Sequence, residues 1–326
     1  MERFAAIETP VELLEYLTTA LEHEWAVSIE YLYHAYAMPK GGFFYEDPVM
    51  RLATDVRGQW IQITIDEMYH ALQIGLLVRQ LGGTPSFRTD EVVRYPRIVD
   101  NLERDRMTED KVTRLYHSAV FKDPAWARIR NMVLNIAADE VRHSRQFGAM
   151  IAAMRAAGAA GREIFRPRPG NDGREDVRLI IEIAGLENEL MHRYLKYVFL
   201  FSDHQDLGQR LFKNSIDHMR HWDKLSGILV SLGDVVRIEN AVTDGAGVER
   251  SRAPMPADYP GSDRLSALES LVPAEALLIS RYERLIGLVP DGEIKDQLRL
   301  HLASKREHLF TQEKLLENAR RIPGLE

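Results

Sequence analysis

Two Glu-x-x-His pairs constrain this chain more than any other feature: Glu67 with His70, and Glu140 with His143. Each pair lies in a long stretch of helical apolar spacing. Residues three apart share one helix face, so a carboxylate and an imidazole can reach one point together. Two other helical stretches each carry a matching lone carboxylate, Glu24 and Glu109. The order Glu, Glu-x-x-His, Glu, Glu-x-x-His over four helices describes a dinuclear metal site inside a four-helix bundle. In that reading Glu67 and Glu140 bridge two ions, Glu24 and Glu109 are terminal ligands, and His70 and His143 bind one ion each. Four buried carboxylates repel one another strongly when left alone. Two divalent cations cancel their charge. Carboxylate and imidazole ligands without sulfur favour iron or manganese, including a mixed pair, over a closed structural zinc site. A single Glu-x-x-His on a solvated helix face would carry little weight; the argument rests on the repetition and on the intervening Glu residues. Among the neighbours, Glu22 is expected on the surface and Glu30 behind the ligands, while His117 is a weaker candidate near the third helix.

The chain has 326 residues, 45% of them hydrophobic, enough for two domains with substantial cores. A formal net charge of -7 argues against nucleic-acid or anionic-membrane partners. No apolar run approaches the ~20 residues of a membrane span, and the first residues lack a signal-peptide pattern. A cytoplasmic protein is therefore expected. The absence of cysteine excludes disulfides, iron–sulfur clusters, thiolate zinc sites and Cys nucleophiles.

Pro10 opens a first helix that should run to about Ala37. A second is expected over about Asp47–Leu81, ending at Gly82-Gly83. A third should start near Thr108, and a fourth should be capped by Asp123-Pro124 and end near Gly158. The Gly-, Arg- and Pro-rich stretch that follows places a linker at 161–176, between a first domain at 1–160 and a second at 177–326. The second domain should hold four further helices, with a loop of about 35 residues before a helix starting at Pro273. Little alternates with period two, so no significant sheet is expected.

The halves repeat. Ile65-Asp66-Glu67-Met68-Tyr69-His70 aligns with Ile216-Asp217-His218-Met219-Arg220-His221, and Leu81-Gly82 with Leu232-Gly233. A Glu-x6-Tyr spacing recurs at Glu24/Tyr31, Glu109/Tyr116, Glu187/Tyr194 and Glu275/Tyr282. Seven residues are two helical turns, so each Tyr shares the face of its Glu. Tyr31 and Tyr116 are thus candidates to hydrogen-bond the ligands or to take part in redox chemistry. In the second half the ligand positions read Glu187, His218, His221, Glu275, Lys305 and His308. Lysine in a ligand position points to a metal-free pocket, with Lys305 paired to Glu187 or Glu275. The alternative is a mononuclear site of Glu187, His218 and His221, with Glu283 and Glu307 as nearby complications.

The first half resembles the ferritin-like superfamily of di-iron carboxylate and rubrerythrin-like proteins. Glu24-x6-Tyr31-x-Tyr33-x-Ala35 looks like its first metal-binding helix. Glu67-Met68-x-His70 with Leu81-Gly82-Gly83-x-Pro85 is especially similar to the ferritin-like domain of the violacein-type imine-dimerising synthases. The resemblance implies an all-α chain of two tandem ferritin-like four-helix bundles. It implies two iron ions in the first bundle and a di-iron oxidase or oxygenase that uses O2 on a small organic metabolite, in secondary metabolism. An external electron donor and a homodimer are compatible with it. A ferroxidase or peroxide-reducing protein is one alternative, and a non-catalytic scaffold stabilised by metal is another. Separately, Arg88, Arg94, Arg97, Arg104 and Arg106, between the second and third helices, fit either a loop that covers an entrance and favours a carboxylated substrate or an ordinary solvated loop.

Overall fold

The computed structural model describes residues 6–88, 91–163, 171–251 and 263–321. Within them run eight long helices: α1 (Pro10–Ala35), α2 (Val56–Gln80), α3 (Ile98–Ser118), α4 (Ala127–Ala156), α5 (Glu175–Leu200), α6 (Gln205–Ser231), α7 (Arg264–Leu288) and α8 (Glu293–Ala319). The chain divides into two compact units, Met1–Ile164 with Asn240–Pro254, and Phe165–Glu239 with Met255–Glu326. In the first, α1 packs along α2 and α3 along α4; in the second, α5 packs along α6 and α7 along α8. The fold is all-α, two four-helix bundles in tandem. Among the described residues no helix is long and apolar enough to cross a membrane.

Local chemistry sets the helix ends that position the ligands. The Thr9 side chain accepts the Glu12 N–H while the Glu12 carboxylate accepts the Thr9 N–H, a reciprocal cap ahead of Pro10. Leu13, Leu17 and Leu21 bury one face of α1, and from Glu24 to Ala35 every residue of that helix is buried. A helix sunk on all sides brings its polar residues into the core with it. Gly82 (φ +81°) follows the end of α2, and the Gly83 N–H reaches back to the Val78 carbonyl. The repeat does the same: Gly233 (φ +77°) follows α6, and the Asp234 N–H bonds the Leu229 carbonyl. Both are left-handed helix stops that favour glycine.

Three helices begin elsewhere than their sequence signals suggest. α3 starts at Ile98, ten residues before Thr108, because Ile98, Val99 and Leu102 are buried. α7 starts at Arg264, capped by Asp263, and runs through Pro273. α2 starts at Val56, since 44–55 hold a hairpin of β1 (Phe44–Glu46) and β2 (Ala53–Asp55). A second antiparallel sheet joins β3 (Val92–Arg94), β4 (Val242–Thr243) and β5 (Glu249–Ser251) in the order β3-β5-β4. Strands of two or three residues are too short to show alternation. The long connection before α7, assigned by its position to the second domain, thus sends Asn240–Pro254 to the first unit. Pro256 and Pro260 of that connection, and Pro167, Pro169 and Gly170 of the linker, lie outside the described residues.

Candidate metal centre

The six side chains singled out by spacing meet in the first bundle. Glu24 comes from α1, Glu67 and His70 from α2, Glu109 from α3, and Glu140 and His143 from α4, all 3% exposed or less. They form two overlapping sets: Glu24, Glu67, His70 and Glu140, and Glu67, Glu109, Glu140 and His143. Within each set one ligand atom per residue lies within 4.8 Å of the others. Glu67 and Glu140 belong to both, the placement a bridging carboxylate needs.

Both imidazoles turn Nδ1 inward. His70 Nδ1 is 3.4 Å from Glu24 Oε2, 3.3 Å from Glu67 Oε2 and 3.3 Å from Glu140 Oε1. His143 Nδ1 is 2.7 Å from Glu67 Oε1, 3.2 Å from Glu140 Oε2 and 3.8 Å from Glu109 Oε2. Their outer nitrogens face aspartates across the bundle, His70 Nε2 at 3.3 Å from Asp139 Oδ2 and His143 Nε2 at 3.3 Å from Asp66 Oδ2. Arg142 Nη2 joins the two aspartates, 2.9 Å from Asp66 and 3.1 Å from Asp139. A carboxylate on the outer nitrogen fixes the tautomer and leaves the inner lone pair for a metal. Asp66, Asp139 and Arg142 escaped the reading of the sequence: both motifs are Asp-Glu-x-x-His, but that spacing does not show which helix each Asp faces.

The tyrosines cross. Tyr31 Oη donates to Glu109 Oε1 at 2.5 Å, and Tyr116 Oη donates to Glu24 Oε1. Burial first, then the adjacent carboxylates, push both phenols well above their usual range. Both therefore stay protonated donors.

The carboxylates are crowded without a cation. Burial raises Glu67 to about 7, with Glu109 adding to it. Burial and then Glu67, Glu109 and Glu24 push Glu140 well up. Buried Glu24 Oε2 and Glu140 Oε1 lack a hydrogen bond and share the one His70 Nδ1, at 3.4 and 3.3 Å. Four buried carboxylates around two imidazoles are a like-charge excess that two divalent ions would relieve, so the donor set fits such a pair.

The neighbouring candidates lie elsewhere. His117 is exposed. Glu22 is half-buried and accepts from the Ser86 hydroxyl. Glu30 is buried in a separate layer, where it accepts from the Val93 N–H and from Arg104. Beside it His34 is held at both nitrogens, 3.0 Å from Asp105 Oδ2 and 2.7 Å from the Val93 carbonyl. The five arginines do not all sit in one loop: Arg94 is buried against Glu249, and Arg104 and Arg106 lie on α3.

The second bundle repeats the frame with different occupants. Tyr194 donates to Glu275 at 2.8 Å and Tyr282 to Glu187 at 2.6 Å, the same crossing. Lys305 Nζ lies 3.0 Å from Glu187 Oε2, one of its two expected partners, and 2.9 Å from His218 Nδ1. The three residues that converge are His218, Glu275 and His308. His221 stands 3.4 Å from Glu187 and outside that set. Glu283 and Glu307 are exposed.

The family model for ferritin-like domains matches residues 17–120, from within α1 to just past the end of α3. Over those residues the first bundle is similar to ferritin-like domains. Of the six converging residues, the match spans Glu24, Glu67, His70 and Glu109. Glu140 and His143 on α4 join them by geometry. No curated protein and no solved structure matches the chain.

Proposed function

We propose that the ferritin-like first bundle holds two iron ions, replaceable by manganese, and uses O2 to oxidise a small organic metabolite. The observation that carries this reading is the pair of buried ligand sets sharing Glu67 and Glu140. Bound iron would supply the electrons that reduce O2. The chain supplies placement. Asp139 and Asp66 hold the outer nitrogens of His70 and His143, so the inner nitrogens keep one orientation. Tyr31 and Tyr116 each hold one oxygen of Glu109 and Glu24, leaving the other to ligate or to swing aside as substrate arrives. Two reaction balances are compatible with such a site. An oxidase removes two hydrogens from the substrate per O2 reduced to H2O2. A monooxygenase inserts one oxygen atom and releases the other as water, with two electrons and two protons from an external donor.

The test is anaerobic loading of the purified chain with Fe(II), followed by O2 in the presence of a panel of small metabolites. Two irons in the first bundle and O2 uptake that rises with one metabolite are expected. Uptake that ignores every organic compound while peroxide is turned over would assign the bundle to iron or peroxide handling. A chain that folds and works after metal removal would make the site structural.

A further inference from the structure

We infer that the second bundle binds one divalent first-row transition ion through His218 Nε2, Glu275 and His308 Nδ1, with the Lys305 ammonium in place of the other cation. This replaces the metal-free pocket that a lysine in a ligand position suggests. By position in the repeat, Glu24, Glu67, His70, Glu109, Glu140 and His143 correspond to Glu187, His218, His221, Glu275, Lys305 and His308. One first-bundle set, Glu67, Glu109, Glu140 and His143, therefore keeps two members as Glu275 and His308, exchanges a third for His218, and these three converge. Both sets lose Glu140 to Lys305, whose ammonium bonds Glu187 as an ion would.

Two atoms of the surviving set lack a hydrogen bond. His308 Nδ1 and Glu275 Oε2 are buried and make no hydrogen bond, in residues 5% and 0% exposed. His308 Nδ1 stands 3.5 Å from Glu275 Oε1, and His218 Nε2 is 3.0 Å from that same oxygen. All three side chains are also braced from behind. His308 Nε2 faces Asp217 Oδ2 at 3.5 Å, as His143 faces Asp66 at the equivalent position. Tyr194 donates to Glu275, and His218 Nδ1 lies 2.5 Å from Glu187 Oε2. Outer partners of this kind accompany metal-binding imidazoles and carboxylates. With Glu187 paired to Lys305, Glu275 has the two imidazoles as its near partners, the arrangement into which an ion would fit. Two imidazoles and one carboxylate leave coordination positions open and suit Fe(II), Co(II) or Zn(II). The nearby ammonium repels the ion, so this site binds less tightly than the first bundle's.

The untagged, metal-free full chain is titrated anaerobically with Co(II), counted by equilibrium dialysis and followed by electron paramagnetic resonance. The wild type should bind three ions. Glu67→Ala with Glu140→Ala should leave one, with the signal of a magnetically isolated ion. Adding the near-isosteric Glu275→Gln, or separately His308→Gln, should abolish it with the far-ultraviolet circular dichroism unchanged. Two ions in the wild type and none in Glu67→Ala/Glu140→Ala would overturn the inference and leave the first centre standing. One ion that survives that double substitution and is lost with Glu275→Gln would support the inference and remove the first centre instead.

Discussion

Asp66 and Asp139 act on the proposed centre through the far side of its histidines. Removing either leaves an imidazole free to turn, and loss of such an outer partner typically weakens metal binding about 10–100-fold. Asp139→Ala should therefore weaken the ion beside His70, and Asp66→Ala the ion beside His143. Arg142→Ala, which releases both aspartates, should affect the two together. Chelator competition with Mn(II) measures this; unchanged affinity in all three variants would make the contacts incidental. A different residue sets a pH dependence away from the ligands. His192 is buried on α5 with Nδ1 2.7 Å from the Asn188 carbonyl, and burial lowers it to about 3. Unfolded, it takes a proton near its ordinary 6.5. Between those values the unfolded chain binds more protons, so stability falls as pH drops from 6.5 toward 3, by up to roughly 1.4 kcal/mol per pH unit. His192→Gln should shrink the difference in urea midpoint between pH 7 and pH 5. At this scale the six converging residues were legible because helical spacing and charge balance both demand them. Asp66 and Asp139 were not, because an acid one residue from a ligand points to a different face and declares its partner only when another helix arrives.

Helix starts and stops were legible where a backbone rule decides them and obscure where burial does. The stops at Gly82 and Gly233 follow from left-handed φ values that L-residues adopt only at a cost. Gly82→Ala should lower stability by roughly 1–2 kcal/mol, read as an earlier urea transition of the first bundle, and Gly233→Ala should do the same in the second. Nothing crowds a Cβ at Gly82, so the loss is conformational and not steric. If Gly82→Ala left the midpoint unmoved, the helix stop would owe nothing to glycine. The start of α7 misleads for the opposite reason. Proline usually marks a helix's first turn, yet Pro273 lies inside α7 because Ala267, Leu268 and Leu271 before it are buried and hold the preceding turns in place. Likewise Pro96 and the charges around it resemble a loop, but Ile98, Val99 and Leu102 draw that stretch into the core as the start of α3. Tertiary burial overrides local punctuation in both helices, and a single sequence does not display which residues will be covered.

At the scale of the whole molecule, the first bundle is not completed by the first half of the chain. Strand β5 comes from the connection between α6 and α7, yet pairs with β3 inside the first unit. Glu249 lies 2.6 Å from the Nε of Arg94, whose side chain is fully buried. β3 in turn is tied to α1: the Val93 N–H donates to Glu30 Oε2 at 2.9 Å, and the Val93 carbonyl faces His34 Nε2 at 2.7 Å. Glu30 and His34 flank Tyr31, which holds Glu109. A path of hydrogen bonds and short helix therefore runs from β5 to the ligand set. Glu249→Ala in the full chain removes a charge-assisted bond and should lower the stability of the first unit by roughly 1.5–3 kcal/mol. Its Mn(II) affinity should fall as well, although no ligand is altered. A chain ending at residue 176 keeps all six converging residues but lacks β5 altogether, so it should be impaired further. Hydrogen exchange across residues 91–97 supplies the local readout, with protection lost progressively from wild type to Glu249→Ala to the shortened chain. Equal protection and equal metal affinity in all three would mean that β5 merely rests on a bundle complete without it.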